Sequence, residues 1–301
     1  MKTLNDSASN SDLTNVFVRQ SFLHRMRFRL YLIILKIIFK NCQSLYLKIG
    51  DWITVSFLAN KGHEDLQIAT ILRFSEGEEK DFFLDVGANV GLVSVPVAAH
   101  FKRVVCVEPN PVCRSILKAN LAEAGVVNFD LVPVALGLDT NCAVSLMIPK
   151  GNVGGAFLAT DDNRYSKQTL ADKDGFLDFD KGNYDEVRVP VMGGDEFFQR
   201  FFSDYNDNHS FFGCIKIDVE GYDILILEKL AKNCPPQFRG IILFENWDKS
   251  ISANMIVEMF KHLQTSIYCL KKSRLFDVKT FWEPIIDSPV YGECLIVVEQ
   301  R

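Results

Sequence analysis

The chain has 301 residues, of which 48% are hydrophobic and 24% charged, and its formal net charge is −5 at pH 7. This composition is ordinary for a globular protein of one large or two small domains. The lack of overall basic character argues against a nucleic-acid partner. The eight cysteines form no C-x-x-C motif and no metal-ligand spacing, so we expect buried, reduced thiols and a cytoplasmic location.

The first 50 residues differ from the rest in charge. Between Leu13 and Gly50 there is no acidic residue but there are seven basic ones. We predict a polar, disordered tail over residues 1–12 and a basic amphipathic helix over 21–47. Its apolar part, 30–39, is shorter than the ~20 residues of a membrane span. Residues 21–48 could dock on the rest of the protein or make a peripheral membrane contact, and a true span is the third alternative.

From residue 51 to residue 301 the pattern predicts a single α/β domain. A segment rich in β-formers predicts a strand over 52–58, and helical spacing predicts a helix over 63–73. Further strands are predicted over 82–86, 104–108, 129–134, 214–219, 241–245, 267–271 and 294–299, and further helices over 90–100, 111–124, 223–230 and 252–263.

An insertion over residues 138–212 interrupts this alternation. Two alternating segments within it, 143–148 and 186–191, could pair as strands. The acidic stretch between them, 160–185, is expected to loop over the surface. The insertion is therefore predicted to be β-rich and to lie near the substrate side.

Alternating strands and helices predict a Rossmann-like sheet, mostly parallel and covered by helices on both faces. We expect seven strands, with 267–271 and 294–299 pairing antiparallel at the sheet edge because no helical pattern separates them. Ligands on such sheets bind at the carboxyl ends of the strands. The residues just after each strand are therefore the candidates for a site.

The turn after the first of these strands contains Asp85, Gly87, Asn89 and Gly91. The glycines allow a tight turn and close backbone approach. Asn89 stands where a dinucleotide fingerprint has its middle glycine, which disfavours a pyrophosphate. An acid at the strand end suits the amino group of an amino-acid moiety. The turn thus favours S-adenosylmethionine over NAD, although such a turn can also be purely structural.

Acids follow the other strands as well. Glu108 could accept hydrogen bonds from the ribose hydroxyls of either cofactor, and Asn110 could contact adenosine or cap the next helix. Alternation places Lys216, Asp218 and Glu220 on one face of a buried strand, which is costly unless the charges are paired or serve a site.

Glu245, followed by Asn246, ends the fifth of these strands. With the acid after the fourth strand, these oxygens could hold a divalent cation. The alternative is that Glu245 contacts substrate or Lys216, and we predict no metal.

The motifs DVGANVG, VEPNP, VALG, GNVGGA, IKIDVEGYD and LFEN occur in this order. In this respect the chain resembles the FkbM-type S-adenosylmethionine-dependent methyltransferases over roughly residues 52–299. The resemblance implies a class I methyltransferase sheet with a seven-stranded core. It also implies O-methylation of a hydroxyl, in a sugar of a glycan or glycolipid or in a polyketide-type metabolite.

Matching positions imply roles for individual residues. The implied cofactor-binding residues are Asp85, Gly87, Asn89, Gly91, Glu108 and Asn110, with Ala135 and Leu136 beside the adenine and Asn152, Gly154 and Gly155 in a loop near the reacting centre. We predict that Asp218 or Glu220 is the catalytic base, that Lys216 pairs with one of them, and that Glu245 belongs to the same site.

The chain departs from the family pattern in two places. Relatives often have a histidine after the fifth-strand acid, where this chain has Asn246 and Trp247, and the acidic excursion of the insertion is longer than expected. Both departures concern the acceptor. The rival functions are an NAD-dependent oxidoreductase, for which glycine is expected at position 89, a non-catalytic binding module, and a membrane-surface interaction protein acting through the leader.

Overall fold

The structure is a computed structural model that describes residues 45–48, 51, 52, 54, 65–205, 209–248, 250–273, 279–286 and 288–299. Apart from 45–48, the predicted leader lies outside the described residues. Trp52 and Thr54 are helical, so the strand predicted over 52–58 is wrong at these positions. The Trp52 N–H donates to Gly151 O at 2.8 Å, so the backbone of Trp52 contacts the turn after β5 and not a neighbouring strand of the main sheet. Among the described helices, none has the length and apolarity that a membrane crossing requires.

The described elements follow the predicted alternation closely. The strands are β1 (Lys80–Val86), β2 (Arg103–Val107), β3 (Phe129–Val132), β4 (Ala135–Gly137), β5 (Asn141–Pro149), β6 (Phe157–Leu158), β7 (Tyr184–Gly193), β8 (Phe211–Ile217), β9 (Phe238–Asn246), β10 (Gln264–Ser273), β11 (Lys279–Pro284) and β12 (Gly292–Glu299). The α-helices are α1 (Asp65–Phe74), α2 (Ser94–Val97), α3 (Pro111–Glu123), α4 (Lys167–Lys173), α5 (Gly194–Ser203), α6 (Asp223–Asn233) and α7 (Ala253–Met259). Short 3-10 helices cover Ala98–His100, Val153–Gly155 and Lys181–Asn183.

The main sheet has the order β11-β10-β12-β9-β8-β1-β2-β3. Strands β9, β8, β1, β2 and β3 pair in parallel, and β12 lies antiparallel between β9 and β10. The α/β class and the antiparallel pairing of β10 with β12 are thus confirmed, but the sheet is mixed, with four parallel and three antiparallel pairings among the described strands. The sheet has eight strands, however, because β11 pairs antiparallel with β10. Since β11 takes the edge, the prediction that the β10–β12 pair forms it is wrong.

Helices cover both faces of this sheet, as the buried strands predict. In β1, Phe82 packs in a cluster with Phe198 of α5 and Leu227 of α6. The next residue, Phe83, packs on the other face with Leu117 of α3. Neighbouring residues of a strand point to opposite faces, so one buried strand anchors both helical layers.

Three strands of the insertion form a second sheet together with β4, which directly precedes it, in the order β4-β7-β5-β6. The predicted pairing of its two alternating segments is confirmed, since β5 and β7 are antiparallel partners. The prediction that 160–185 loops over the surface is wrong. That stretch contains α4, and its Tyr165 and Leu170 are buried with Phe157 and Tyr184. Helix α5 was not predicted; its phenylalanines at 197, 198, 201 and 202 form a buried face.

Candidate active site

A cavity of about 270 Å³ opens at the carboxyl ends of β1, β2 and β8. Its volume is close to the lower end of the ~300–1,000 Å³ that small-molecule sites occupy. The predicted site residues that line it are Asp85, Gly87, Asn89, Glu108, Ala135, Leu136, Asn152, Gly154, Gly155, Lys216, Asp218, Glu220 and Glu245. The strand-end rule therefore brings residues far apart in sequence to one place.

Glu108 joins the turns that follow β1 and β2. Its Oε2 accepts a hydrogen bond from Asn89 N at 2.8 Å, and its Oε1 accepts one from Asn110 N at 2.7 Å. The residue is only 6% exposed. Burial raises the pKa of the Glu108 carboxyl to about 7, although both backbone hydrogen bonds oppose the rise. A carboxyl group held in this way has oxygen lone pairs left to accept further hydrogen bonds from a molecule in the cavity.

The turn after β1 depends on left-handed backbone. Asn89 has φ 52°, which asparagine tolerates better than most residues. Its Oδ1 is buried and has no hydrogen-bond partner within the described part of the chain. Gly87 has φ +84°, and a Cβ there would lie 1.9 Å from the carbonyl oxygen of Asp218. The glycine is thus required by the neighbouring strand end, and Asn89, which lines the cavity, keeps a buried acceptor that no described group uses.

Two predicted cofactor residues do not line the cavity. At Gly91 a Cβ would lie 2.6 Å from Leu117 Cδ1, so this glycine lets α3 pack closely. The Oδ1 of Asn110 accepts from Val112 N, and its Nδ2 donates to Val153 O, each at 3.0 Å. Of the two alternatives for Asn110, its side chain therefore caps the N-terminus of α3.

Lys216 lies between two acids. Its Nζ is 3.1 Å from Asp218 Oδ2 and 3.6 Å from Asp85 Oδ1. Asp85 also accepts from Ser94 Oγ at 2.6 Å through its other oxygen. Asp85 and Lys216 are both buried, so each charge needs such a partner. The predicted pairing of Lys216 with Asp218 is present in this geometry.

Glu220 and Glu245 share a different cation. Lys173 of α4 places its Nζ 2.7 Å from Glu220 Oε2 and 2.8 Å from Glu245 Oε2. Strand β8 ends at Ile217 and Glu220 has φ 47°, so a turn rather than strand alternation positions this acid. Burial raises the pKa of Glu220 to about 7, and Lys173 opposes the rise. Lys173 was not predicted as a site residue, because it lies in the stretch expected to form a surface loop.

Asp223 organises the loop that carries Glu220. Its Oδ1 accepts from Val219 N and its Oδ2 accepts from Gly221 N, each at 3.2 Å. Burial, and then the nearby acids, raise the pKa of Asp223 well above its usual range. The aspartate at the end of the IKIDVEGYD motif could have been identified from its position at the start of α6, where acids are favoured.

Apolar groups line the other side of the cavity. Val134, Ala135 and Leu136 follow β3, and Val107 and Cys113 complete this wall. The backbone of the 3-10 turn behind it is fixed by Asp51, whose Oδ2 accepts from Val153 N at 2.7 Å. The cavity therefore has an apolar end beside Glu108 and an acidic end at Asp218, Glu220 and Glu245.

The described side chains at the acidic end of the cavity are not arranged as metal ligands. In the described ranges no group of three or more His, Cys, Asp or Glu side chains is placed to hold a metal ion. Asn246 is turned away, since its Nδ2 donates to Val290 O at 2.7 Å and to Asp248 O at 2.9 Å. The charges at the acidic end are instead neutralised in part by Lys216 and Lys173.

Known proteins resemble the chain to different extents. A probable ribosomal RNA small subunit methyltransferase A from Methanosphaera stadtmanae is 25% identical over 69 residues, which is 23% of this chain and 26% of that protein. The match thus spans about a quarter of the relative's length.

Solved structures give low similarity scores. A SAM-dependent methyltransferase from Agrobacterium tumefaciens has TM-score 0.41 and 8% identity, over 79% of this chain and 62% of that one. A putative O-methyltransferase from Klebsiella pneumoniae has TM-score 0.37 and 11% identity, over 96% of each chain.

The decisive match is to a family model. The model described as the methyltransferase FkbM domain matches residues 85–266, from Asp85 at the end of β1 into β10. This range is more than half of the chain and contains the cavity-lining acids Asp85, Glu108, Asp218, Glu220 and Glu245. The chain therefore belongs to the FkbM methyltransferase domain family.

Proposed function

We propose that the protein is an S-adenosylmethionine-dependent O-methyltransferase that acts on a sugar hydroxyl of a glycan, a glycolipid or a related metabolite. The observation that carries the proposal is the polarity of the cavity. A buried acid, Glu108, lies beside an apolar wall at one end, and the acids Asp218, Glu220 and Glu245 lie at the other. Such a cavity can hold a nucleoside at one end and a cationic centre at the other.

The residues present fit the cofactor. The carboxylate of Glu108 can accept the ribose hydroxyls, and Ala135 and Leu136 offer an apolar surface to an adenine. The unpartnered Oδ1 of Asn89 can accept a donor from the amino-acid moiety. The acidic end attracts a positively charged sulfonium, because four carboxyl groups, those of Asp85, Asp218, Glu220 and Glu245, face only the two ammonium groups of Lys173 and Lys216.

The acidic end also holds the residues that can take a proton. When bound, S-adenosylmethionine supplies an electrophilic methyl group. Asp218 is our candidate for the base that accepts the proton of the acceptor hydroxyl, because its side chain is 36% exposed whereas that of Glu220 is 15% exposed. Lys216, 3.1 Å from Asp218 Oδ2, positions that carboxylate. Alignment of the acceptor oxygen with the methyl group would supply much of the rate.

Exposed aromatic residues near the acidic end support a sugar acceptor. Trp247, which directly follows the end of β9, is 37% exposed, and Tyr291 is 40% exposed. Their rings meet edge to face with centroids 5.1 Å apart. Aromatic faces stack on the apolar face of a sugar ring, while carboxylates such as Glu245 accept its hydroxyls. A cytoplasmic location, with residues 21–48 at a membrane surface, completes the proposal and would suit a lipid-linked acceptor.

Two alternative functions make different predictions, one about the ligand and one about methyl transfer. An NAD-dependent oxidoreductase needs close approach of a pyrophosphate to the turn after β1, where Asn89 carries a side chain. A non-catalytic module would keep the cavity and transfer no methyl group. The paired acids Asp85 and Asp218 around Lys216 favour a working site over a decayed one.

Calorimetric titration of the full chain with S-adenosylmethionine, and with NAD in parallel, tests the cofactor. We expect binding of the first alone and its loss in Glu108→Ala. The control is Glu123→Ala, which changes an exposed glutamate at the end of α3. Binding of NAD, or of neither ligand, would overturn the proposal. Transfer of labelled methyl groups to a panel of methyl glycosides then tests the acceptor.

A further inference from the structure

The ammonium group of Lys173 is enclosed on several sides. Besides its ion pairs with Glu220 and Glu245, it lies 5.2 Å from the centre of the Tyr165 ring and 5.5 Å from that of Trp247. Two carboxylates and two aromatic rings are the groups that bind cations in proteins. The protein thus has a cation-binding cage at the acidic end of its cavity, and the ammonium group of its own Lys173 fills the cage.

The members of this cage come from separate parts of the chain. Lys173 is the last residue of α4 in the insertion, Glu220 lies in the loop after β8, and Glu245 lies near the end of β9. These contacts connect the insertion to the carboxyl edge of the main sheet. A lysine on an ordinary solvated surface would be mostly exposed, whereas the side chain of Lys173 is only 23% exposed.

Glu220 faces an unfavourable set of neighbours. Asp218 and Glu245 raise its pKa by their charge, and Asp223 of α6 lies in the same group. Burial makes the larger contribution in the same direction, and Lys173 opposes both. Burial would lower the pKa of Lys173 itself, but Glu220 and Glu245 together raise it above its ordinary value. Lys173 is therefore charged at neutral pH and favours the ionised form of Glu220.

We infer that Lys173 is a tethered counter-ion of the acceptor site, which occupies the position between Glu220 and Glu245 and so keeps it closed to an external cation. It acts as a positioning residue, because it orients these two acids and holds the insertion against them. Its location at the acceptor end rests on the proposed function. The geometry itself, and the measurement below, require neither cofactor nor acceptor.

Carbon-13 NMR titration of glutamate side-chain carboxyl groups tests this assignment in the full chain. Glu220→Gln and Glu245→Gln assign the two signals. In Lys173→Met we expect Glu220 to titrate about one pH unit or more above wild type, because a cation within ~4 Å is lost. Lys167→Met is the matched control: Lys167 lies on the same helix, is exposed and faces the Phe179 ring at 5.7 Å. It should leave Glu220 unchanged.

Lys173→Arg keeps the charge, so its Glu220 titration should stay close to wild type even if Lys173→Met does not fold. Two results would overturn the inference: an unshifted Glu220 in folded Lys173→Met, or a large shift in Lys173→Arg.

Addition of Mn²⁺ to the wild type gives a further test. Selective broadening of the Glu220 and Glu245 signals would show that a divalent cation displaces the lysine, and would also overturn the inference. Absence of broadening supports it. Failure of the proposed function would appear separately, in the calorimetric titration.

Discussion

Asp85 and Lys216 lie directly opposite each other on the parallel strands β1 and β8, with Asp85 Oδ1 3.6 Å from Lys216 Nζ. Both strands end at the same edge, so this register connects the turn after β1 to the loop after β8. The contact joins the two motifs DVGAN and KIDVEG, and places a buried cation between Asp85 and Asp218. The residues at the ends of β1 and β8 are thus linked through one lysine.

Lys216→Met should strongly destabilise the protein. The substitution leaves the buried carboxylate of Asp85 without its cation, a change that typically costs about 3–5 kcal/mol. The free energy of unfolding from urea denaturation measures this cost. The double variant Asp85→Asn with Lys216→Met should be more stable than Lys216→Met alone, because no buried charge is then left uncompensated. Strictly additive costs would contradict the link between the two residues.

Gly87→Ala should be far more damaging than a comparable change elsewhere. At Gly87 the new Cβ would lie 1.9 Å from the backbone oxygen of Asp218, so the backbone that directly follows β8 must shift. We expect a loss of roughly 3 kcal/mol or more together with loss of S-adenosylmethionine binding. Gly125→Ala is the matched control, since Gly125 also has positive φ, +68°, but nothing lies within 4 Å of its Cβ. Equal losses in the two variants would show that backbone strain alone, and not the contact with β8, explains the effect.

The sequence was sufficient to predict that the residues at the ends of β1, β2 and β8 line one cavity. Asp85, Glu108 and Lys216 each lie at or near the end of a buried strand, and the ends of parallel strands converge at one edge. That convergence follows from the alternation of strands and helices alone. No knowledge of distant packing is needed to place these residues together.

The acidic end of the cavity was harder to predict for a physical reason. Lys173 belongs to a stretch where apolar residues such as Tyr165 and Leu170 are scattered among acids without strand or helix periodicity. Its position depends on how the insertion packs, which is a tertiary property. Glu220 was expected on a strand face but lies in a turn with positive φ that Asp223 stabilises. Strand β11 was missed in the same way, since it is an edge strand defined by its pairing with β10.

Glu108 should make the stability of the protein depend on pH. Burial raises its pKa to about 7 in the folded protein from the usual value near 4.5, so the folded state binds the proton more tightly. The resulting stabilisation is complete below pH ~4.5 and is lost as the pH rises through ~7. Its size is at most roughly 3 kcal/mol, at 1.36 kcal/mol per pH unit.

Urea denaturation at several pH values between 5 and 8 measures this dependence. Glu108→Gln should lower the overall stability, because an amide cannot accept both backbone N–H groups, but its stability should fall less with pH than that of wild type. Glu123→Gln, at the exposed end of α3, should retain the wild-type slope. Identical slopes in wild type and Glu108→Gln would mean that Glu108 remains ionised in the folded protein throughout this range.

Trp247→Ala should weaken acceptor binding without affecting the cofactor. The ring is exposed at the acidic end, meets Tyr291 edge to face, and lies under the ammonium of Lys173. Loss of an aromatic contact costs about 0.5–1.5 kcal/mol, so we expect the KM for a glycoside acceptor to rise roughly 2- to 10-fold with the Kd for S-adenosylmethionine unchanged. Trp247→Phe retains an aromatic face and should lie close to wild type. Leu177→Ala, at a 93% exposed position, controls for the loss of a surface hydrophobic group. An unchanged KM in Trp247→Ala would move the acceptor away from this aromatic pair and would favour an acceptor without a sugar ring.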